Sequence, residues 1–174
     1  WGVASQRREA AQRVTALCQR GHGGGISDGG LQREVVASGL IPLLVGMLRV
    51  DEGPETERLL EASLEAVYTL SSAEGVDLRG ALVHLVALLS MGDGESIKLL
   101  ATGAISNIAA VRGNQAICVD AGALPPLVLL LTHDSDPIKE FAAGAIWSIA
   151  SAGEYGVAWK NAGAIVPLVH MLGW

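Results

Sequence analysis

The chain repeats a glycine-led apolar segment at an interval of about 41 residues, and this regularity limits the fold more than any other feature. The segments read GLIPLLVGMLR, GALVHLVALLS, GALPPLVLLLT and GAIVPLVHMLG, and successive glycines lie 41, 42 and 41 residues apart. A constant period of this length is the signature of stacked repeats rather than of a single globular core. The four glycines are Gly39, Gly80, Gly122 and Gly163.

A second apolar element recurs in phase with the first, as EAVYTLSS, GAISNIAA and GAIWSIAS. In its third copy, apolar residues recur every four positions along two adjacent stripes, from Ile138 to Ile146 and from Phe141 to Ile149. A helix with two apolar stripes packs on more than one side, and it can bury both only against helices of neighbouring repeats. The sequence therefore predicts an all-α stack of repeats.

We predict that residues 1–174 form a single repeat array, and we expect it to be a fragment of a longer one because its ends carry no polar caps. The glycine-rich stretch 21–30 predicts a flexible loop inserted between repeats. Its spacing matches neither a phosphate-binding loop nor a lipase oxyanion loop with its nucleophile elbow. The predicted units are 39–79, 80–121 and 122–162, with partial units at 1–38 and 163–174.

A short helix is predicted before three of the four glycines, at 31–38, 114–121 and 155–162. At 73–79 too few residues remain, and there the helix is predicted to be lost or reduced to a turn. We expect the glycine that follows each segment to adopt the left-handed conformation that ends many helices.

Prolines and acidic residues mark the starts of the helices that follow. Pro125, Pro126 and Pro167 fall in predicted first turns, where a missing N–H group costs little. Asp134 and Asp136, in the segment THDSDP, are expected to cap the next long helix. We interpret them as turn and cap residues rather than as a calcium site, which would need more ligands.

The charge of the chain argues against nucleic acid as a partner. The formal net charge is −6, whereas binding of phosphates requires a basic face. Acidic residues concentrate in 51–77, where eight of them accompany the single base Arg58. Glu57, Glu61 and Glu65 lie four residues apart on one helix face. We interpret this acidic stripe as a solvated face, and the alternative is a surface for a basic partner.

No set of residues in the sequence predicts catalysis. The four histidines have no metal-ligand spacing with one another or with cysteine, and no Ser-His-Asp or Cys-His set stands out. We therefore predict a protein that is not an enzyme and holds no metal or cofactor. Cys18 and Cys118 lie in apolar helical stretches, which predicts two buried thiols in a reducing compartment. The expected location is the cytoplasm, with the nucleus as the alternative.

The sequence also predicts no membrane span. No apolar run reaches the roughly 18 residues that a transmembrane helix needs, and runs of intermediate length are typical of core helices. No signal peptide is recognisable at the amino terminus.

The order of these elements resembles the armadillo repeat. A short helix ending in AG, then GALPPLVLLL, a polar turn and a long helix carrying AISNIA or AIWSIAS recur over essentially the whole chain. The segment AAGAIWSIAS is most similar to vacuolar and plant-type armadillo proteins, and HEAT repeats lack the short first helix. The resemblance implies a right-handed α-solenoid in which the long third helix of each repeat lines a concave groove.

The resemblance also implies where a partner would bind. In peptide-binding armadillo proteins, Asn residues on the third helices hold the peptide backbone, and a Trp one turn earlier forms side-chain pockets. Only Asn107 matches the Asn positions here, which disfavours binding of a long nuclear-localisation signal. The gaps at Gly103 and Gly144 could instead admit a partner helix. The partner-binding residues that this register implies are Glu65, Thr69, Leu100, Gly103, Asn107, Phe141, Gly144 and Ser148.

Two further expectations follow from this register. Leu100 and Phe141 are expected to be exposed and to form an apolar centre, with the acidic stripe at its rim. Trp147 is out of register with the pocket Trp, so we expect it to pack against the neighbouring unit, with an exposed binding hot spot as the alternative.

The predicted function is that of a protein–protein interaction scaffold that binds a peptide or helix of a partner in the groove. The acidic stripe favours a basic ligand. The alternative is a substrate-recruiting or regulatory arm of a larger multidomain protein, such as a U-box ubiquitin ligase.

Overall fold

The computed structural model describes residues 40–48, 54–72, 76–91, 94–153 and 156–163, together with positions 9, 12, 166 and 169. These residues lie in helices and the turns between them, and none of them lies in a β-strand. The helices are α1 (Leu40–Met47), α2 (Pro54–Ser71), α3 (Leu82–Met91), α4 (Glu95–Ala110), α5 (Gln115–Asp120), α6 (Leu124–Leu130), α7 (Asp136–Ala150) and α8 (Gly156–Asn161), and a 3₁₀ turn at Arg79–Ala81 precedes α3.

The chain divides into two compact units, Trp1–His84 and Leu85–Trp174. In the first unit, α1 packs against α2 and also contacts the 3₁₀ turn. Leu64, Val67 and Leu70 of α2 are fully buried, because their spacing of three residues keeps them on one side of the helix.

The second unit is centred on α7, which packs along α4 and also contacts α5 and α6. Ile138, Ala142 and Ile146 of α7 are buried, and so are Ala145 and Ile149 of the adjacent stripe. The two-stripe pattern is therefore confirmed. A helix with both stripes buried needs partners on two sides, and in this unit α4 and α6 supply them.

The short helices fall where the sequence predicts them. α5 and α8 lie within the predicted segments 114–121 and 155–162. In the preceding repeat, residues 76–78 are not helical and lead into the 3₁₀ turn. Over the described part of 73–79, the first helix is thus reduced to a turn, as predicted.

An aspartate and an arginine stabilise this turn. Asp77 Oδ1 accepts hydrogen bonds from the Arg79 backbone N–H at 3.1 Å and from Arg79 Nε at 2.8 Å. The hydrogen bonds from Arg79 lower the pKa of Asp77 to about 2, so its carboxylate stays ionised at neutral pH.

The expected left-handed glycines are confirmed at two positions and wrong at a third. Gly122 and Gly163, which follow α5 and α8, have φ angles of 76° and 66°. After α5, the N–H of Ala123 donates to the carbonyl of Cys118 at 3.0 Å, the bond that closes a Schellman motif. Gly80 is not left-handed, because it lies inside the 3₁₀ turn and no α-helix ends there.

The starts of the long helices agree with the sequence in part. Pro125 and Pro126 occupy the first turn of α6, as predicted. The expectation that Asp134 and Asp136 cap α7 is wrong, because the helix begins at Asp136 itself. Ser135 is the capping residue, and its own side chain makes no capping hydrogen bond.

Cys118 is fully buried on α5, which confirms the prediction of a structural thiol. Burial raises the pKa of this thiol to about 11. The predictions for the glycine-rich stretch 21–30, the short helix 31–38, Gly39 and Pro167 lie outside the described residues, and so does the prediction for Cys18.

Candidate functional site

The candidate site lies on α4 and α7, the two long helices that pack together in the second unit. Equivalent residues of the two helices are 41 positions apart, so Asn107 corresponds to Ser148 and Gly103 to Gly144. The helices approach closely at Gly144, where a Cβ atom would lie 3.1 Å from Ser106 Oγ. A larger residue at this position would have to displace the serine hydroxyl.

The groove residues predicted in the second unit are either buried or half-buried. Gly103 and Ser148 are buried, so neither offers side-chain surface to a partner. Leu100, Asn107 and Phe141 are half-buried. The expected apolar centre of exposed Leu100 and Phe141 is therefore smaller than predicted, because both side chains also contribute to packing within the unit.

Gly144 is half-buried, and Ser106 of the neighbouring helix lies beside it. The gap expected at Gly103 and Gly144 is narrow, since the first glycine is buried and the second lies against a serine. A complete partner helix, about 10 Å across, needs a wider opening than one missing side chain provides. An extended segment is the better match to this surface.

In the first unit, the predicted groove residues lie on α2. Glu65 is exposed and Thr69 is half-buried. The Thr69 hydroxyl donates to the carbonyl oxygen of Glu65 at 2.8 Å, so its proton is already bonded within the helix. Of the acidic stripe, Glu57 and Glu65 are exposed and Glu61 is half-buried, as expected for a solvated face.

Trp147 is the most exposed of the large apolar side chains in the described residues, at 74%. The expectation that it packs against the neighbouring unit is wrong. Ile146 and Ile149 fill the packed sides of α7, and Trp147 projects from the remaining side. The alternative, an exposed side chain available to a partner, is the arrangement observed.

The surroundings of Trp147 consist of small residues. One turn before it on α7 lie Ala143 and Gly144, and one turn after it lie Ala150 and Ser151. On α4, the residue equivalent to Trp147 is Ser106. None of these positions carries a bulky side chain that could cover the indole ring.

Charged residues on α4 and α7 lie away from the tryptophan. On α7 the charged residues are Asp136, Lys139 and Glu140, and on α4 they are confined to the first turn. Lys139 Nζ lies 2.7 Å from Asp136 Oδ1, and hydrogen bonding to this lysine lowers the pKa of Asp136. Glu140 is exposed, and it forms no ion pair with another of the described residues.

The carboxyl-terminal ends of both helices lack a basic side chain in the last turn. The carbonyl groups there point out of the helix and give it a partial negative charge. Trp147 lies in the last turn of α7. The carbonyls of Trp147, Ile149 and Ala150 accept hydrogen bonds from the N–H groups of the following turn, so this partial charge is small and the surface around the indole is mainly apolar.

Two side chains clamp the end of α4 and so fix the position of this surface. Gln115 Nε2 donates to the carbonyls of Ala109 at 2.7 Å and Val111 at 3.1 Å. Asn114 Nδ2 donates to the carbonyl of Ile108 at 3.0 Å. The sequence did not predict this clamp. An amide side chain that bonds to the end of a helix has no sequence pattern that separates it from an amide side chain in contact with water.

Other features of the described residues carry no comparable site. No group of three His, Cys, Asp or Glu side chains in this part of the chain is arranged to hold a metal ion. None of the described helices combines the length and the apolar character that a membrane crossing requires. Val83 and Leu129 are also exposed, at 64% and 72%, but both are aliphatic and lie on second helices of the repeat.

The Armadillo/beta-catenin-like repeat family matches residues 112–151, a span that contains α5, α6 and α7. This span begins at the short helix, so it covers parts of two of the units predicted from the glycine positions. Among curated proteins, none matches the sequence of this chain.

Solved structures of designed proteins match nearly the whole chain. A designed armadillo repeat protein in complex with the peptide (KR)4 is 28% identical, with a TM-score of 0.79 over 95% of this chain and 67% of its own. Computationally designed armadillo repeat proteins for modular peptide recognition are 27% identical, with a TM-score of 0.80 over 94% and 67%. This chain spans about two thirds of the length of these proteins.

These matches define the class of protein. The chain is an α-solenoid with the armadillo-repeat fold, as the period and the order of its repeated segments predict. More particularly, residues 112–151 form an armadillo/beta-catenin-like repeat. The similarity to vacuolar and plant-type members stays a prediction.

Proposed function

We propose that this chain is a protein–protein interaction scaffold that binds a segment of a partner protein on the face of α4 and α7. The observation that carries the proposal is the 74% exposure of Trp147 on a helix whose other sides are packed. Tryptophan is enriched among the residues that dominate binding energy at protein interfaces.

The match to a designed armadillo protein in complex with a peptide supports the same conclusion, since that protein and this chain share a fold over most of their length. The role of the remaining predicted residues is secondary. Asn107 and Phe141, both half-buried, lie on the two helices that carry the surface, and we assign them to its border.

The test is affinity capture from the host cell with the 174-residue chain and two matched variants. Trp147→Ala removes the proposed anchor, and Leu129→Ala removes a side chain of similar exposure from α6. We expect a partner retained by the wild type and by Leu129→Ala to be lost with Trp147→Ala. Purified partner should then bind the Trp147→Ala variant at least about 30-fold more weakly, the effect of losing a hot spot.

Circular dichroism and thermal melting of each variant serve as the folding control. A partner that persists with Trp147→Ala but disappears with Leu129→Ala would place binding on the second helices and contradict the proposal. The alternative function, a recruiting arm of a larger protein such as a U-box ubiquitin ligase, stays a prediction, as does the cytoplasmic or nuclear location.

A further inference from the structure

We propose that the hydrogen bond between His133 and Ser135 makes the start of α7 sensitive to pH. The bond forms while the imidazole ring of His133 is neutral, and it is lost when the ring is protonated. The inference is independent of the proposed function. It concerns the turn between α6 and α7, in which Ser135 is the capping residue of the helix that carries Trp147.

The imidazole ring takes the place of a capping side chain. Ser135 makes no side-chain capping hydrogen bond of its own, and its backbone N–H donates to Nδ1 of His133 at 3.1 Å. An asparagine or aspartate two residues before such an N–H commonly accepts the same bond through Oδ1, in an Asx turn. Nδ1 and Oδ1 are both joined to Cβ through Cγ, so His133 forms an equivalent turn with a nitrogen acceptor.

The nitrogen acceptor is what makes the turn sensitive to pH. Nδ1 accepts a hydrogen bond only while it carries no proton, and histidine is the side chain that ordinarily changes charge between pH 5 and 8. Protonation therefore takes this acceptor away from the Ser135 N–H. It also adds a positive charge at the amino-terminal end of a helix, where cations are unfavourable. His133 is half-buried, so water can reach the ring in the folded protein.

The charges around the turn leave this effect in place. Asp134 and Asp136 are close to His133 in sequence, so they attract a protonated ring in the unfolded chain as well as in the folded one. Hydrogen bonding to Lys139 lowers the pKa of Asp136, which therefore stays ionised between pH 5 and 8. His133 forms no ion pair with any of the described residues. The remaining charged residues on α7 and on the described helices packed against it are Lys139, Glu140, Glu95, Lys98 and Asp120.

The test compares unfolding in urea at pH 7.5 and pH 5 for the 174-residue chain and two variants. His133→Asn keeps an acceptor in the Asx geometry that does not titrate, and His133→Ala removes the acceptor at every pH. Between pH 7.5 and pH 5, the folding equilibrium constant of the wild type should fall about two- to tenfold relative to that of His133→Asn, as expected for the loss of one hydrogen bond. The other histidines are common to all three proteins, so the comparison isolates His133.

Nuclear magnetic resonance locates the change within the chain. In ¹⁵N-labelled protein, the amide signal of Ser135 should shift with pH in step with the ring signals of His133. The same amide signal should stay nearly constant in His133→Asn. His84→Gln, which replaces a half-buried histidine on α3, is the matched control and should leave the pH dependence of the Ser135 signal unchanged.

Two results would overturn the inference. One is a wild type whose stability relative to both variants is the same at pH 7.5 and pH 5. The other is a Ser135 amide signal that does not follow the titration of the His133 ring. If His133→Asn fails to support the turn, the comparison with His133→Ala decides, because the advantage of the wild type over that variant must be present at pH 7.5 and absent at pH 5.

Discussion

At Gly122 the backbone turns from α5 into α6 through a left-handed conformation. A residue with a Cβ atom adopts this conformation only at an energetic cost. The equivalent glycine of the preceding repeat, Gly80, lies in the 3₁₀ turn, and a Cβ atom there would meet no atom within 4 Å. Identical residues at equivalent repeat positions thus have different structural roles, because one follows a helix and the other does not.

This difference can be measured with two alanine substitutions. Gly122→Ala should destabilise the protein by about 1–2 kcal/mol through backbone strain. Gly80→Ala should be neutral or should stabilise it by up to about 1 kcal/mol, because alanine restricts the unfolded chain more than glycine does. Urea denaturation of both variants gives the comparison. Equal destabilisation by the two would contradict the conformations assigned here.

The buried thiol of Cys118 leads to a prediction about pH. Its folded-state pKa is about 11, above the ordinary value of a thiol, so the unfolded chain loses this proton at lower pH than the folded chain. Below its ordinary pKa, the thiol therefore adds no pH dependence to the free energy of unfolding. As pH rises from there towards 11, the free energy of unfolding decreases, because only the unfolded chain releases the proton. Denaturation between pH 7 and 10 should show a steeper decline for the wild type than for Cys118→Ala.

Chemical modification provides an independent check on the same residue. Iodoacetamide should leave Cys118 unmodified in the native protein at pH 8 and should modify it in urea, as followed by peptide mass spectrometry. Rapid modification without denaturant would mean that α5 opens readily.

At the scale of the element, α5 is tied to the end of α4 by a buried glutamine. Gln115 donates to two carbonyls, and its Oε1 accepts a hydrogen bond from the N–H of Gly113 at 2.9 Å. The Val111 carbonyl also accepts from the N–H of Asn114 at 3.1 Å, whereas the Ala109 carbonyl lies at the helix end, where intrahelical donors run out. The clamp thereby determines where the helix carrying Asn107 stops and the next repeat begins.

Substitution of Gln115 should destabilise the protein more than substitution of a glutamine on the surface would. Gln115→Ala removes the side-chain donor of the buried Ala109 carbonyl and should destabilise the protein by about 1–3 kcal/mol. Gln115→Glu should be at least as harmful, because it replaces the donor by a negative charge at the end of a helix. Chemical denaturation measures both, with Asn114→Ala, which loses one bond, as the milder comparison.

At the scale of the whole molecule, each of the two compact units has its own buried residues. The buried core is correspondingly distributed, from Leu64 and Leu70 in the first compact unit to Ile105 and Ile149 in the second. We therefore expect a loss of core packing to act first on the unit in which it occurs.

Hydrogen exchange can test this locality. Ile105→Ala removes a fully buried side chain, which costs about 2–5 kcal/mol, and should accelerate exchange over 94–153 more than over 54–72. Leu64→Ala should show the reverse order. Equal acceleration over both regions by each variant would indicate a single cooperative core instead.

The all-helical class, the helix periods and the short helices could be predicted from the sequence, because they depend on spacings of three, four and about 41 residues along the chain. The armadillo resemblance followed from the same regularity. The two apolar stripes of α7 and the buried Cys118 could be predicted for this reason.

Which face of each long helix remains exposed depends on how the helices pack against one another. The sequence places Trp147 next to a packed stripe and cannot show whether a neighbouring helix covers it, since coverage depends on residues far away in the chain. The exposure of Trp147 and the burial of Gly103 were missed for this reason. Local periodicity specifies elements, whereas the candidate site is a surface that exists only once those elements have packed.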